Sequence, residues 1–317
     1  MDSARAVTRA VTDFAAEYLP DAEHVCVGLS GGPDSLALTA AAVRAGLRVT
    51  ALVVDHGLQA NSADVASTAA ATARALGAAA VILPVRVGRD GGLEAAARAA
   101  RYSALDAARD GSPVLLGHTM DDQAETVLLG LARGSGARSI AGMRTWTPPW
   151  GRPLLGVRRT QTAAMCAELG LTPYADPHNR DPRFTRVRVR TDVLPLLDDV
   201  LNGGVVEALA RTAASLRADN DALDGLAADL GAGAVVDAGL EIAVLAEAPA
   251  AVRTRVIRRW LLDVGATEPT TRVITAVDDL VTRWHGQGAV AIGGDDTARR
   301  EVVRTAGLLT LRTTLRR

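Results

Sequence analysis

The chain reads as an α/β protein: a doubly wound parallel sheet of five strands, followed by a smaller C-terminal α+β unit. Three observations predict this. Short apolar runs alternate with helix-like stretches through the first 190 residues, the pattern of a parallel sheet with crossover helices. One of these runs stops at a turn, Ser30-Gly31-Gly32-Pro33-Asp34-Ser35, that opens directly into an alanine-rich helix. The last third of the chain instead mixes two helical patterns with short strands.

Taken in order, residues 3–19 place Val7, Ala10, Val11, Phe14 and Leu19 at roughly helical spacing. Val25, Val27 and Leu29 then form a buried strand, and the turn after it suits an anion. Gly31 and Gly32 admit positive φ and leave the backbone N–H groups uncovered. Ser30 and Ser35 add hydroxyls, and the helix that follows adds free amides and the positive end of its dipole. No lysine follows the glycines, which excludes a Walker-type loop. Arg48–Asp55 is a near-continuous apolar run that fits a parallel strand buried on both faces, so Asp55 and His56 fall at the carboxyl edge where such sheets bind ligands. A capping role for Asp55 is the ordinary alternative.

A helix is predicted over 62–76 and a strand over 79–85. In the next helix Glu94, Arg98 and Arg101 share one face, which fits either a solvated ion pair or guanidinium groups reaching for phosphates or RNA. Pro113–Gly117 is a fourth strand and runs into His118-Thr119-Met120-Asp121-Asp122-Gln123-Ala124-Glu125-Thr126. Thr119 with Asp122 makes a capping-box pattern, while Asp121 and Glu125 lie one turn apart. Acids in a first turn serve the helix dipole. An imidazole and carboxylates at a strand end, opposite a phosphate loop, also suit Mg²⁺ held through water and the orientation of a nucleophile.

A fifth strand is expected at Pro153–Val157 and a helix over 160–170. Residues 173–190 are irregular, with Arg183, Arg186, Arg188 and Arg190 around Phe184, the composition of a surface that grips a nucleic-acid backbone or of a charged linker. Residues 191–230 are helical apart from a break at Asn202-Gly203-Gly204, and the domain boundary is set in the second of these helices, giving units 1–215 and 216–317. In the second unit, helices are predicted over 248–263 and 270–284, and strands near 239–246, 288–292 and 307–312. Arg253, Arg255, Arg258 and Arg259 crowd one of those helices.

With 317 residues the chain has length for one large or two ordinary domains. Every apolar run stops short of the roughly 18 residues a membrane span needs, and no secretory h-region opens the chain. A cytoplasmic protein with no membrane partner is expected. Cys26 and Cys166 are isolated, with no CxxC, and read as packed thiols in a reducing compartment. The net charge of −1 hides an asymmetry: residues 251–317 hold 12 arginines against 7 acids, +5, which leaves −6 for residues 1–250. That points to a basic face for a polyanion, or to a solvated helix and tail.

SGGPDS after an apolar strand resembles the pyrophosphate-binding loop of the ATP pyrophosphatases, the PP-loop ATPases of the adenine nucleotide alpha hydrolase-like fold. In order, LSGGPDS, VDHGL, EAAARAARY, HTMDDQAET and RGSG across residues 29–136, extended by PLL at 153–155 and the segment Asp176–Arg190, closely resemble the tRNA(Ile)-lysidine synthases. That resemblance implies a ligase. ATP adenylylates the C2 oxygen of the wobble cytidine in the CAU anticodon of tRNA(Ile), and the ε-amine of free L-lysine then displaces AMP to form lysidine.

By motif, the resemblance assigns Ser30, Gly31, Gly32, Pro33, Asp34 and Ser35, with Asp55 and His56, to ATP. It puts Asp34, Arg98, His118, Asp121 and Asp122 around the reacting centre, with Asp34 and Asp121 on Mg²⁺ and Asp121 favoured as base. Arg101, Arg133, Arg186, Arg188 and Arg190 fall to tRNA. A homodimer is one assembly this leaves open. The chain departs from the family pattern at Thr185-Arg186-Val187-Arg188, where an Arg-Asn pair is common, and its single C-terminal unit matches the shorter members. The rivals are a tRNA thiolase, which isolated cysteines disfavour, and an amide-forming synthetase of the same fold. A nucleotide sensor without turnover is a third reading. It gains only repulsion from carboxylates placed beside a polyphosphate.

Overall fold

The computed structural model describes residues 3–57, 61–86, 88, 92–134, 136–236, 239–267, 269–294 and 298–315. Leu58 and Ser135, within the VDHGL and RGSG strings, the tail arginines Arg316 and Arg317, and the side chain of Glu94 lie outside this set. Backbone contacts divide the chain into two units, Met1–Ala214 and Ser215–Arg317.

The first unit begins with the expected alternation: α1 (Ser3–Tyr18), β1 (His24–Gly28), α2 (Pro33–Arg44), β2 (Arg48–Asp55), α3 (Ser62–Ala75), β3 (Ala79–Pro84), α4 (Leu93–Ala108), β4 (Val114–Leu116) and α5 (Met120–Ala132). α1 buries the stripe Val7, Val11 and Phe14. α2 is buried nearly all round, from Ser35 to Ala42, which explains its run of alanines: small side chains let a helix sit close against a sheet. After a single turn, α6 (Ala137–Ile140), come β5 (Trp146–Thr147), β6 (Trp150–Gly151) and α7 (Arg159–Glu168).

The sheet order is β3-β2-β1-β4-β6-β5. Five strands are parallel, as expected, and β5 adds an antiparallel edge against β6. The fifth parallel strand is not where the sequence reading put it. Pro153–Gly156 is a 3₁₀ turn whose Pro153, Leu154 and Leu155 are all buried, and the strand is the two-residue β6 just before it, paired to Val114 and Leu115. Three consecutive buried residues mimic a buried strand, but the proline at the first position of the turn fixes φ for the tighter conformation. From β1 the chain steps outward to β2 and β3, then crosses back through α4 to β4 on the other side of β1. The crevice at the carboxyl ends of β1 and β4 is therefore the topological switch point where such sheets hold ligands.

The unit continues through α8 (Thr185–Arg188), a π-helical turn at Val189–Val193 and α9 (Leu194–Val200), and α10 (Val205–Ala234) then carries the chain across the boundary. The expected break at Asn202-Gly203-Gly204 separates α9 from α10, with Asn202 at φ 60°.

The second unit holds β7 (Val235–Val236), β8 (Gly239–Glu241), α11 (Ile242–Ala246), α12 (Ala250–Asp263), α13 (Thr271–Thr282), β9 (Val290–Gly294), β10 (Ala298–Thr305) and β11 (Leu308–Leu315). Its strands form one antiparallel sheet in the order β7-β8-β11-β10-β9, the α+β organisation expected. The strand predicted over 239–246 is only three residues long, because Ile242 and Leu245 turn inward at helical spacing as α11. β10 went unpredicted. Its arginines 299, 300 and 304 leave Val302 as the one fully buried apolar side chain in the middle of the strand, so the alternation is masked. Two of the arginines crowded on α12 are structural: Arg253 Nε donates to Asp278 at 2.6 Å, and Arg255 Nε donates to Asp224 at 2.9 Å.

Candidate active site

The turn after β1 folds on itself before any ligand is considered. The Ser30 amide donates to Ser35 Oγ at 3.1 Å, the Gly32 amide reaches Ser30 Oγ at 3.4 Å, and Ser35 Oγ lies 3.1 Å from both Ser30 Oγ and the Gly32 carbonyl. Gly31 takes φ 82°, the left-handed conformation that glycine adopts without strain. Pro33 opens α2 at a position where the missing N–H costs nothing. Gly117, after β4, lets the second strand end approach: a Cβ there would lie 3.0 Å from the Asp34 carbonyl carbon and 3.0 Å from the Ser35 amide nitrogen. Loop and strand end are thus packed backbone to backbone.

One side of this crevice is a pocket of about 200 Å³. Gly28, Ser30, Asp55, His56 and Arg101 line it, with Val65 and Ala66 of α3 and with Tyr174, Asp176 and His178. The last three come from the irregular segment that the sequence reading gave to RNA. The Tyr174 amide donates to the Gly31 carbonyl at 2.9 Å, which ties that segment to the loop. Asp55 Oδ1 accepts from the Gly57 amide at 3.0 Å, so the expected turn-capping role and a place in the pocket coexist. Burial lowers the pKa of His56, helped by Arg101 and opposed by Asp55. Its Nδ1 is buried without a partner.

The other side is an ionic network in which Arg158 and Arg159, neither of them expected, join Asp34, Asp121, Asp122 and Glu125. Arg159, at the start of α7, donates from Nε to Asp34 Oδ2 (3.3 Å), from Nη2 to Asp122 Oδ1 (2.8 Å) and from Nη1 to Glu125 Oε1 (3.3 Å), while its backbone amide donates to Asp121 Oδ2 (2.7 Å). Arg158 holds Asp121 from Nη2 at 3.2 Å and also pairs with Glu207. Glu125, with no exposed side-chain surface, accepts from Arg190 Nε at 2.7 Å and faces Arg186 Nε at 3.8 Å. Asp122 completes the predicted capping box, accepting from the Thr119 amide at 2.8 Å and from its hydroxyl at 2.9 Å.

Charge follows geometry. Burial opposes the charge on Arg159, and Asp122, Asp34 and Glu125 overrule it, so its pKa rises. Asp122 is penalised by burial, but Arg159, Thr119 and His118 hold its pKa below the usual carboxylate range. Asp34 goes the other way: burial raises its pKa against the pull of the Thr162 hydroxyl and Arg159.

Arg186 and Arg190, expected on tRNA, turn inward to this network. Asp34 and Asp121, expected on Mg²⁺, are each already matched with an arginine. No cluster of three metal-ligating side chains occurs among the described residues, although a Mg²⁺ that arrives with a polyphosphate needs only one or two carboxylates and its own waters.

Of the remaining expected residues, Arg101 lies in the pocket wall, and Arg98 is exposed with its guanidinium 5.0 Å from the Tyr102 ring centre. Arg133 caps the C-terminus of α5. Arg188 is exposed and paired with Asp192 at 3.2 Å. Neither of the last two joins the network. Arg158, Arg159, Thr162 and Glu207 were missed. The only cue to them was a pair of arginines directly after PLLGV.

His118 sits between the two sides, with Nδ1 buried and unpartnered. Burial, with help from Arg101, Arg152 and Arg98 and against Asp122, pushes its pKa down to about 3. The unfolded chain therefore binds a proton near pH 6.5 that the folded chain refuses, so stability falls as pH drops from about 6.5 toward 3 and His118 is neutral at pH 7. Denaturation midpoints followed from pH 7 to pH 4 are expected to fall less steeply in His118→Gln than in the parent chain. Identical slopes would show that the imidazole is not held neutral.

A glycine-rich amide cradle at a sheet switch point, flanked by a pocket lined by Asp55, His56 and Arg101, defines a PP-loop nucleotide enzyme. Residues 3–197 match the PP-loop domain family and residues 240–309 the TilS substrate binding domain family. The chain is 65% identical to a tRNA(Ile)-lysidine synthase of Nocardia farcinica, covering 96% of each chain, and 59% identical to one of Mycobacterium tuberculosis, covering 98% of this chain and 99% of that one. Among solved structures, the U34-tRNA thiolase NcsA of Methanococcus maripaludis shares the fold at a TM-score of 0.54 and 17% identity, covering 67% of this chain and 78% of that one. The chain belongs to the tRNA(Ile)-lysidine synthase family.

Proposed function

We propose that the protein ligates L-lysine to C2 of the wobble cytidine in the CAU anticodon of tRNA(Ile), consuming ATP and releasing AMP and pyrophosphate. The observation that carries this reading is the meeting of two sequence motifs in one crevice: the Ser30–Ser35 cradle and the His118–Glu125 stretch, linked by Arg159. ATP lies with its base and ribose in the pocket of Asp55, His56 and Arg101 and its phosphates on the amides of Ser30–Ser35. Attack of the cytidine O2 on the α-phosphorus builds negative charge, which amides and guanidinium groups held in place stabilise without reorganising.

The lysine amine, attacking C2, passes its proton to a carboxylate of the network. We assign this role to Asp121, whose carboxylate the Arg158 side chain and the Arg159 amide hold in one orientation. Asp122 is committed to the helix cap, Glu125 is sealed from solvent, and Asp34 stands beside the phosphate loop. Mg²⁺ enters this reading with the triphosphate and not as a resident ion. The second unit, named for substrate binding in its family, takes the tRNA body, and the reaction belongs in the cytoplasm. No helix among the described residues is long and apolar enough to cross a membrane.

The thiolase rival loses a specific support. Cys26 and Cys166 are both free and buried, and burial pushes each thiol up to about 11. Such thiols stay protonated at pH 7 and are poor sulfur carriers. Incubation with tRNA(Ile), ATP, Mg²⁺ and labelled lysine is expected to label the RNA with release of AMP and pyrophosphate. Release of ADP and phosphate, or acceptance of ammonia or a sulfur donor in place of lysine, would overturn the assignment.

A further inference from the structure

Trp284 is the only exposed phenylalanine, tyrosine or tryptophan among the described residues, at 41% of its full accessible surface. It is nevertheless not loose. Arg304 of β10 lays its guanidinium 5.3 Å from the centre of the indole and donates from Nη1 to the Leu280 carbonyl at 2.7 Å, at the C-terminal end of α13. Gln287 Nε2 donates to the Asp279 and Arg283 carbonyls at 3.1 and 3.2 Å, and its Oε1 accepts from the His285 amide at 2.8 Å. Two side chains thus tie off the carbonyls at the end of α13 and fix the short turn that carries the indole.

An exposed tryptophan loses apolar contact that burial would provide, and ordering it costs entropy unless a partner uses its surface. Here one ring face is covered by a cation and the ring is held ready. An arginine against one face of an indole that keeps 41% of its surface exposed makes a platform for a planar, electron-rich ring bordered by negative charge. That is the chemistry of a nucleobase with its phosphates.

We infer that Trp284 and Arg304 form a stacking platform for an unpaired base of the tRNA. The inference rests on the reading of the protein as a tRNA enzyme and adds a contact within the second unit. Binding of the tRNA(Ile) transcript to the full chain is expected to weaken roughly tenfold in Trp284→Ala, the loss of about one base stack, and to stay near the parental value in Trp284→Phe, which keeps an aromatic face. The transcript should also quench tryptophan emission in the parent chain and do so much less in Trp284→Phe, which retains Trp146, Trp150 and Trp260.

Parental affinity in Trp284→Ala, or equal quenching in Trp284→Phe, would overturn the platform. Where the alanine variant melts early, the quenching comparison decides. Failure of the parent chain to bind the transcript would sink the tRNA reading itself, an outcome distinct from a parent that binds and an alanine variant that binds equally well.

Discussion

Glu125→Ala is expected to remove about 3–5 kcal/mol of folding stability, the loss typical of breaking a buried ion pair from one side. Glu125 has no exposed side-chain surface and accepts from Arg190 at 2.7 Å and Arg159 at 3.3 Å, with Arg186 at 3.8 Å. Without its carboxylate these guanidinium groups stay in the crevice with too little negative charge to offset them. Desolvation then goes uncompensated, which is the expensive half of any buried pair. Glu125→Gln keeps two polar atoms in place and should lose less. Urea or guanidinium midpoints measure both; a drop of under about 1 kcal/mol for the alanine variant would mean that the cluster is screened like a surface network.

Asp34→Ala should leave a folded protein whose tRNA-dependent AMP formation falls by at least about 10²-fold, the scale seen when one fixed electrostatic partner is removed from a reaction centre. Asp34 stands in the first turn of α2, within the phosphate loop, and links that loop to α7 through Thr162 and through Arg159 at 3.3 Å. The substitution removes both links without touching the amides that define the cradle. ATP binding should therefore weaken less than turnover. Turnover retained at the parental rate would take Asp34 out of the mechanism, and ATP binding lost in proportion to turnover would make it a binding residue alone.

The order of elements and the front of the crevice were legible in the sequence because their signals are local. Arg48–Asp55 was read to the residue, since an apolar run bounded by charge leaves little choice of register. The Thr119–Asp122 cap was visible because both partners lie within one turn. Arg159 was illegible for the opposite reason. It meets Asp34 across 125 positions and Asp122 across 37, and no periodicity encodes a contact that only the closed fold creates. The inward pairing of Arg186 and Arg190 with Glu125 was illegible for the same reason. A row of cations looks outward on paper, and only the buried carboxylate on α5 turns two of them in. Pro153–Gly156 and β10 fell to the local rules themselves, the first because a buried 3₁₀ turn and a buried strand share a composition, the second because arginines hid a strand.

Asp122 spends its two oxygens on different tasks: Oδ2 closes the start of α5 through Thr119, and Oδ1 receives Arg159. Evolution is therefore offered little freedom at this pair of positions. Asparagine at 122 would preserve the cap but forfeit the anion, and any drift at 119 would unmoor a side chain the neighbouring helix also leans on. Lineages that alter one of the two without the other should be rare.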